Sequence, residues 1–457
     1  MGFFKAYDMR GTFGSDFDLD TVYRVGLALP QVVNGRRWLV GRDCRVTSDA
    51  VRDALVKGLV ESGADVTDLG RCTTPMVYFF TATDGYDGSV MITASHNPPS
   101  DNGLKVSMKT ALPVGYANGL DEVERLVTAS DARRGEGPVP EVKTVADALP
   151  RYVAWHRRRS EALASGGPDL RIGVDCSNGM ASLLVHEIFP DAVVINDALD
   201  GTFPNHSPNP LKAEARAQLA ALVRERRLDC GIVFDGDADR AMFVNERGEF
   251  VQPDYLIPII ARSCLGTAES APRVLHDVRT SRGAIESVRE LGCEPVMVPV
   301  GHAFAKPKMR ETGAVCGGEL AGHYYFREFF GCDSAILAAL RVLEEFRRWK
   351  GAAADGKAAT FSEMMRPIVS RYANSGELNF EVTDKDEAIR RVLAVAAAKL
   401  PRELSRSEID GIRIEYAEGW INIRKSNTEP FLRLIAECDT ADRLGDWLGL
   451  LRGAIND

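Results

Sequence analysis

One pattern occurs three times along the 457-residue chain and constrains its fold more than any other feature. Each time, an apolar strand ends at an aspartate, and a polar turn, an amphipathic helix and a second apolar strand follow. The predicted strand, helix and second strand lie at 38–43, 48–62 and 64–67, then at 170–175, 180–189 and 192–195, and finally at 273–277, 283–291 and 295–298. Strands joined by a helix pair in parallel through a right-handed crossover, so each unit predicts one α/β domain with a parallel or mixed sheet.

The C-terminal part of the chain follows a different pattern. Predicted strands at 378–382, 411–416, 419–423 and 431–436 stand apart from predicted helices at 385–400 and 441–455. Strands and helices that segregate in this way indicate an α+β fold. Turn-rich segments divide the chain into predicted domains at 1–148, 149–249, 250–366 and 367–457. The sequence therefore predicts three related mixed-sheet α/β domains followed by a smaller α+β domain.

The apolar run 88–92 ends at the hexapeptide Thr-Ala-Ser-His-Asn-Pro, which spans 93–98. Pro98 and Pro99 exclude a helix here, so a buried strand should deliver Ser95 to a rigid loop. A serine held this way can carry a covalent group, although the segment alone also fits an ordinary strand-to-loop turn. Adjacent residues of an extended chain point to opposite faces, so His96 is not expected to serve as a base for Ser95. The segment also lacks the Gly-x-Ser-x-Gly elbow of hydrolases.

Three aspartates at alternate positions follow another apolar run, 230–234. Asp235, Asp237 and Asp239 offer only oxygen ligands, which suit a hard cation such as Mg²⁺. A solvated acidic loop is the simplest alternative. An EF-hand calcium loop is another, but it requires glycine at its sixth position, where this chain has Arg240. The spacing therefore predicts a magnesium site.

Together with the segments 7–11, 317–323 and 424–430, these two motifs resemble those of the α-D-phosphohexomutase superfamily, and most closely those of its bacterial phosphomannomutase/phosphoglucomutase group. The motifs occur in the family's order and span nearly the whole chain. The resemblance implies an isomerase whose four domains surround a central cleft. It implies that hexose 6-phosphate and hexose 1-phosphate interconvert through phosphoserine and an enzyme-bound 1,6-bisphosphate. Mannose is the expected sugar and glucose a second one.

The resemblance also assigns catalytic roles. Ser95 would be stored as phosphoserine, and its phosphate would join the three aspartates around Mg²⁺, with hexose 1,6-bisphosphate as activator. Arg240 would contact the same phosphate as a fork of donors. The roles of general acid and general base are not assigned among Lys105, His302 and His323. Histidine has a suitable pKa, whereas the pKa of Lys105 would have to fall strongly.

The other implied residues bind the substrate. Glu319 would accept hydrogen bonds from the 3- and 4-hydroxyls of the sugar. These hydrogen bonds can form in both orientations of the bisphosphate, before and after it rotates by half a turn. The loop that begins at Arg424 would hold the phosphate that is not transferred, although alone it also fits a polar hairpin turn. The residues implied to bind substrate are Tyr7, Arg10, Arg279, Glu319, Arg424, Ser426, Asn427 and Thr428.

Two positions depart from the common pattern of the group. Ala321 replaces a serine, so one sugar hydrogen bond is lost or passes to water. Arg279 stands where many relatives carry a lysine, and because arginine stays protonated it can bind phosphate but cannot act as a base. A phosphoglucosamine mutase is an alternative, although that branch typically carries glutamine and serine at Leu320 and Ala321. A phosphatase that uses the aspartate cluster and a non-catalytic sugar-phosphate-binding protein are alternatives of other classes.

Composition narrows the partners. The net charge is −9 and no basic run occurs, which argues against nucleic acid. No apolar stretch approaches the ~18–20 residues of a membrane span. Nine scattered cysteines without Cys-x-x-Cys spacing are typical of reduced thiols. We therefore expect a cytoplasmic enzyme with a hexose phosphate substrate and no membrane partner, either a monomer or a small homo-oligomer.

Overall fold

A computed structural model of the chain describes residues 2–164, 168–265, 271–352, 359–426 and 431–456. Across these residues, four sheets follow one another along the chain. The first three combine parallel and antiparallel strands and carry helices, and the fourth is antiparallel. The predicted fold class, three mixed-sheet α/β domains followed by an α+β domain, is confirmed. No described helix is both long and apolar enough to span a membrane.

The first domain contains a seven-stranded sheet. Its elements are β1 (Met9–Thr12), α1 (Leu19–Val33), β2 (Arg37–Arg42), α2 (Ser48–Glu61), β3 (Asp65–Arg71), α3 (Thr74–Thr83), β4 (Gly88–Ile92), β5 (Asp101–Met108), β6 (Leu112–Val114), α4 (Leu120–Ala129) and β7 (Lys143–Thr144). The strand order is β1-β5-β4-β2-β3-β7, with β6 on β5. Because β2 and β4 pair in parallel while β5 runs antiparallel to β4, the chain turns back directly after β4. The predicted serine loop is that turn.

The second domain contains a five-stranded sheet. Its elements are α5 (Ala148–Ala164), β8 (Ile172–Asp175), α6 (Val185–Ile188), β9 (Val193–Ile195), α7 (Ala213–Arg226), β10 (Cys230–Phe234), β11 (Ala241–Asn245) and β12 (Phe250–Val251), with the order β12-β11-β10-β8-β9. The helix predicted at 180–189 is instead a 3₁₀ turn at Met180–Leu183 followed by the short α6. The predicted boundary at 249 lies just before β12, which pairs with β11 in this sheet.

The third domain also contains a five-stranded sheet. Its elements are α8 (Ile257–Cys264), β13 (Arg273–Asp277), α9 (Arg282–Glu290), β14 (Glu294–Val298), α10 (His302–Thr312), β15 (Cys316–Gly318), β16 (Tyr324–Phe326), β17 (Cys332–Asp333), α11 (Ala335–Ala352) and α12 (Phe361–Val369), with the order β14-β13-β15-β16-β17. Ser281 caps α9 by accepting a hydrogen bond from Gly283 N at 3.1 Å. The predicted boundary at 366 falls within α12.

The fourth domain is an antiparallel sheet with two helices among the described residues. Its elements are β18 (Ala373–Asn374), β19 (Leu378–Glu381), α13 (Lys385–Lys399), β20 (Ser405–Ser407), β21 (Ile412–Glu415), β22 (Gly419–Lys425), β23 (Phe431–Cys438) and α14 (Ala441–Asn456). Strands β22 and β23 pair over Gly419–Lys425 and form a hairpin, and the segment predicted to hold phosphate begins at the end of β22, with Arg424.

Apolar packing joins the first three domains to one another more extensively than it joins the fourth domain to them. One large cluster of buried side chains runs through the first three domains, and within it the Phe79 ring lies 5.4 Å from Tyr152 and 6.4 Å from Phe329. The fourth domain has its own core. Across the described residues, a small cluster that includes Trp420 connects it to the third domain. Such a link favours relative motion of the fourth domain.

Candidate active site

The serine loop begins at a strand that is buried along its whole length, β4. Ser95 adopts a left-handed conformation with φ 52° and is 1% exposed. Its N–H donates to Thr93 Oγ1 at 2.8 Å. The Ser95 hydroxyl lies 3.2 Å from His96 Nδ1, so the expectation that His96 points away was wrong. That expectation assumed an extended backbone, and the positive φ turns both side chains to one side.

Arg45 fixes the loop and was missed by the sequence analysis. Its guanidinium donates to four main-chain carbonyl oxygens of the loop, with Nη1 2.6 Å from Pro98 O and 2.9 Å from Asp101 O. Nη2 donates to Ser95 O at 2.9 Å and to Asn97 O at 2.8 Å. The Arg45 side chain is fully buried. Because these partners are main-chain atoms far along the chain, no local sequence signal marks this arginine.

The aspartate cluster lies directly against the serine. Asp235, Asp237 and Asp239 are fully buried, and their ligand atoms lie within 4.8 Å of one another. The Ser95 hydroxyl donates to Asp235 Oδ2 at 2.9 Å. A Cβ atom at Gly236 would lie 2.6 Å from Ser95 O, so only glycine allows this close approach. The two motifs of the sequence therefore form one site across the boundary between the first two domains.

The charges of the cluster fit a cation. Burial and repulsion from Asp239 and Asp237 raise the pKa of Asp235 well above its usual range. Burial alone would also raise the pKa of Asp239, but Lys105 and His323 hold it well below that range. Asp237 Oδ1 and Asp239 Oδ1 are buried, and no hydrogen-bond partner for either is found among the described residues. Buried acceptors without a donor are costly, so these oxygens fit the role of metal ligands.

Lys105 extends from β5 into the same cluster. Its Nζ lies 2.7 Å from Asp237 Oδ2 and 2.5 Å from Asp239 Oδ2. Burial lowers the pKa of Lys105, but the two carboxylates outweigh burial and raise it. This direction is opposite to the downward shift that a role as general base requires. In this arrangement Lys105 is a protonated ammonium group and thus a candidate acid.

Arg240 and His323 connect the cluster to the third domain. The two residues form an isolated β-bridge, and Arg240 Nε donates to His323 Nε2 at 3.3 Å. His323 Nε2 also lies 3.3 Å from Asp239 Oδ1. The His302 ring, at the start of α10, lies 6.2 Å from the His323 ring, and burial together with Lys306 lowers the pKa of His302 well below its usual range. The structure thus gathers all three acid–base candidates near the serine.

Tyr7 and Arg10 line the same region from the N-terminal side. Arg10 Nη1 donates to Asn97 Oδ1 at 3.1 Å, and its Nη2 donates to Asp8 at 2.6 Å. The Tyr7 ring packs against the rings of His302 and Phe304, with centroids 6.4 and 5.5 Å away. Arg10 therefore lies beside the serine loop, where a transferable phosphate would be held.

Glu319 follows β15 and is 1% exposed. One carboxylate oxygen accepts a hydrogen bond from the Tyr325 hydroxyl, and the other accepts from Gly301 N at 3.2 Å. Burial raises the pKa of Glu319, although Arg279, 3.8 Å away, opposes the change. The carboxylate is thus held in place by protein groups from two segments of the third domain.

A second cluster of charges joins the third domain to the fourth. Glu377, which the sequence analysis missed, lies among the guanidinium groups of Arg279, Arg424 and Arg433. Arg279 also binds Asp277, with Nη2 to Oδ2 at 2.6 Å. In the sequence, Glu377 only follows a glycine and precedes a predicted strand, and this pattern does not indicate the contact. Ser426 N, just after β22, donates to Phe431 O at 2.9 Å, whereas Asn427 and Thr428 lie outside the described residues.

Comparisons with known proteins agree with this arrangement. Family models described as "Phosphoglucomutase/phosphomannomutase, alpha/beta/alpha domain" I, II and III match residues 1–134, 150–248 and 252–371, and the model of the C-terminal domain matches 377–451.

Whole-chain relatives point the same way. A phosphomannomutase of Escherichia coli is 36% identical over 456 residues, which cover 96% of each chain. Phosphohexose mutases of Xanthomonas campestris are 36% identical over 95% of this chain and 94% of theirs. A crystal structure of a phosphoglucomutase/phosphomannomutase family protein from Burkholderia thailandensis aligns with a TM-score of 0.83 and 29% identity, covering 99% of this chain and 97% of that one. With all four domains matched in order, the chain belongs to the phosphoglucomutase/phosphomannomutase family and is a mutase enzyme.

Proposed function

We propose that this mutase interconverts the 6-phosphate and 1-phosphate of mannose, and also of glucose, through a phosphoserine at Ser95. The observation that carries the proposal is the hydrogen bond of 2.9 Å from the Ser95 hydroxyl to Asp235, inside a buried cluster of three aspartates. A protein that only binds sugar phosphates needs no serine hydroxyl in contact with such a cluster, and the segment 235–240 lacks the Asp-x-Asp-x-Thr signature of a phosphatase. The phosphate-bearing serine and the arginines of the second cluster would engage the two ends of a hexose bisphosphate.

We propose Mg²⁺ as the cation of the aspartate cluster. Asp235, Asp237, Asp239 and the oxygen of Ser95 or its phosphate would hold it. Their ligand atoms converge, and among the described residues Asp237 Oδ1 and Asp239 Oδ1 accept no hydrogen bond. When bound, the cation withdraws charge from the phosphate and makes the serine a better leaving group. Arg240 lies beside Asp235 and Arg10 binds the serine loop at Asn97, so both supply positive charge near the serine.

The residues of the chain then divide the work of the transfer. Arg45 fixes the serine loop, so the phosphoserine stays aligned with the attacking hydroxyl. Lys105, which is protonated in this arrangement, binds Asp237 and Asp239 of the cluster whose Asp235 accepts from Ser95, and it is our candidate for returning a proton to the serine oxygen. His302 and His323 remain candidates for removing the proton of the sugar hydroxyl.

At the other end of the cleft, Arg424 and Ser426 would bind the phosphate that is not transferred, together with Asn427 and Thr428 of the same loop. Arg279 would add charge from the third domain, and Glu319 would accept hydrogen bonds from sugar hydroxyls. After the first transfer, the 1,6-bisphosphate reorients in the site and returns its other phosphate to Ser95. Closure of the fourth domain would exclude water, since a phosphoserine in contact with water is open to hydrolysis.

The assay that tests this proposal compares turnover of mannose 1-phosphate, glucose 1-phosphate and glucosamine 1-phosphate, with Mg²⁺ and catalytic glucose 1,6-bisphosphate. Turnover of the first two confirms the proposal, and the ratio of kcat/KM values identifies the preferred sugar. Turnover of glucosamine 1-phosphate alone would replace it with the aminosugar alternative. Failure on all three by folded, Ser95-phosphorylated protein contradicts a hexose phosphate substrate.

We also propose a cytoplasmic location. All nine cysteines are free thiols, and eight of them are buried. A reducing compartment maintains such thiols, whereas secreted proteins usually pair theirs. Fractionation of the source cells with markers for each compartment tests this proposal.

A further inference from the structure

The Glu377 carboxylate binds three arginines. Its Oε1 accepts a hydrogen bond from Arg424 Nη2 at 2.9 Å and lies 3.4 Å from Arg279 Nη1. Its Oε2 accepts from Arg433 Nη1 at 3.1 Å. Arg279 belongs to the third domain, whereas Arg424 and Arg433 lie on the hairpin strands of the fourth. One carboxylate therefore brings guanidinium groups of two domains together.

This carboxylate occupies the place that an anion would need. The side chains of Arg279 and Arg424 are 3% and 2% exposed, whereas that of Glu377 is 17% exposed. Burial would raise the pKa of Glu377, but Arg279, Arg424 and Arg433 lower it to about 2. The group is therefore ionised at neutral pH, and it is more exposed than the side chains of Arg279 and Arg424. A phosphate that binds the same guanidinium donors would have to displace the carboxylate.

The backbone holds Glu377 in this position. Gly376, with φ 64°, adopts the left-handed conformation that suits glycine. Gly376 N donates to Asn374 Oδ1 at 2.8 Å, and Ser375 N donates to Ala436 O at 2.9 Å. This turn connects β18 to β19, which both pair with β23, so Glu377 belongs to the fourth domain. A change of the angle between the third and fourth domains would thus move Glu377 relative to Arg279.

We infer that the Glu377 carboxylate is an internal stand-in for the substrate's phosphate. In the free protein the carboxylate pairs with the arginines, and it is displaced when the phosphate binds. The inference rests on the proposed function, in which Arg424 binds the phosphate that is not transferred. A carboxylate satisfies guanidinium donors with two oxygens, and a phosphate offers three and more charge, so exchange is favourable. The carboxylate also competes with bound phosphate and thereby speeds release of product. Glu377 is a positioning residue, because it acts through the arginines.

Direct titration of inorganic phosphate into the full-length protein, at constant ionic strength, tests this inference. Glu377→Gln removes the competing charge, so phosphate should bind about tenfold more tightly than to the wild type, given charges that close to each other. Glu415→Gln is the matched control. The Glu415 carboxylate also joins arginines across the same domain boundary, 2.7 Å from Arg282 and 2.7 Å from Arg413, but in another place. This control should leave phosphate affinity unchanged.

Turnover provides a second readout that a merely structural role would not produce. Glu377→Gln should lower KM and also lower kcat, because phosphate binds more tightly and product leaves more slowly. Weaker or unchanged phosphate binding in Glu377→Gln would overturn the inference and make the carboxylate a scaffold for the arginines. If that variant does not fold, Glu377→Asp tests the inference instead. Aspartate keeps the negative charge, but its side chain is one methylene shorter, so the carboxylate lies farther from the arginines. Tighter binding in Glu377→Asp supports the inference, and equal or weaker binding refutes it.

The Arg424→Ala variant separates this inference from the proposed function. Loss of phosphate binding in Arg424→Ala supports the assignment of the phosphate site. If Arg424→Ala loses binding but Glu377→Gln does not gain it, the stand-in alone is refuted. If Arg424→Ala binds phosphate as the wild type does, the phosphate-site assignment fails and the inference fails with it.

Discussion

The clearest test of how the site is built is the substitution Arg45→Lys. Arg45 donates to four carbonyl oxygens at 2.6–2.9 Å from a fully buried position. Lysine keeps the charge, but it carries its donors on one nitrogen and cannot reproduce the planar fork. We expect at least two carbonyls to lose their partner. Because a buried polar group without a partner costs ~1–3 kcal/mol, the native loop conformation should lose roughly 2–5 kcal/mol.

The loss should affect chemistry more than binding. The serine loop carries Ser95, and a displacement of about 1 Å at a reacting group can cost ~10²-fold in rate. We therefore expect kcat of Arg45→Lys to fall about 10²-fold. The KM for hexose phosphate should stay within about twofold, because Arg45 does not line the second arginine cluster. Steady-state turnover at saturating substrate, with amide hydrogen exchange over 93–101, measures both consequences.

Arg42→Lys is the matched control. Arg42 lies on the preceding strand, 18% exposed, and binds Asp49 at 2.5 Å and Asp68 at 3.2 Å without touching the serine loop. Its kcat should equal that of the wild type within about twofold, since the ion pairs of Arg42 do not hold the serine loop. Wild-type kcat and unchanged hydrogen exchange in Arg45→Lys would refute the argument that these four hydrogen bonds hold the serine in place.

Four further predictions concern the site and the fold. Ser95→Ala should abolish turnover and leave the thermal melting curve unchanged, and residual activity near the wild-type level would remove Ser95 from the mechanism. Dialysis against a chelator should abolish turnover, and added Mg²⁺ should restore it; full activity without any divalent cation would contradict the metal site. Arg424→Ala should raise KM more than tenfold with a smaller change in kcat, as loss of a charged contact of roughly 1.5–3 kcal/mol implies; an unchanged KM would place the phosphate elsewhere. Burial raises the pKa of Asp254 from 3.8 to about 7, so the folded protein binds this proton more tightly and its free energy of unfolding should fall as pH rises through that window. Denaturation of Asp254→Asn across the same pH range should show a flatter curve, and an identical pH dependence would exclude Asp254 as its source.

Several features of the fold follow directly from local patterns. The β2–α2–β3 unit and the β13–α9–β14 unit occur where the alternation of apolar strands and amphipathic helices predicted them. The prediction failed at 180–189, where the chain forms a 3₁₀ turn and only a short helix. Ser177 and Asn178 precede that turn with φ of 52° and 53°, and the N–H of Met180 donates to Gly236 O at 2.9 Å. This long-range contact replaces a helical hydrogen bond, and helical periodicity cannot reveal it.

Short patterns in the sequence were enough to identify which chemical groups the protein offers. A strand that ends at Ser95 and a run of alternating aspartates are local patterns, because each depends on residues a few positions apart. Their order along the chain also carries the resemblance to a mutase. These patterns can be recognised in the sequence, because strand burial and metal-ligand spacing are properties of short segments.

How those groups meet depends on packing between distant segments of the chain. The Ser95–Asp235 hydrogen bond, the fork of Arg45 on the serine loop and the three arginines around Glu377 join segments from separate parts of the chain. Even the contact between Ser95 and its neighbour His96 depends on a positive φ that sequence rules assign to glycine. Such contacts depend on how the sheets and loops of different domains pack, and a local pattern contains no information about that packing.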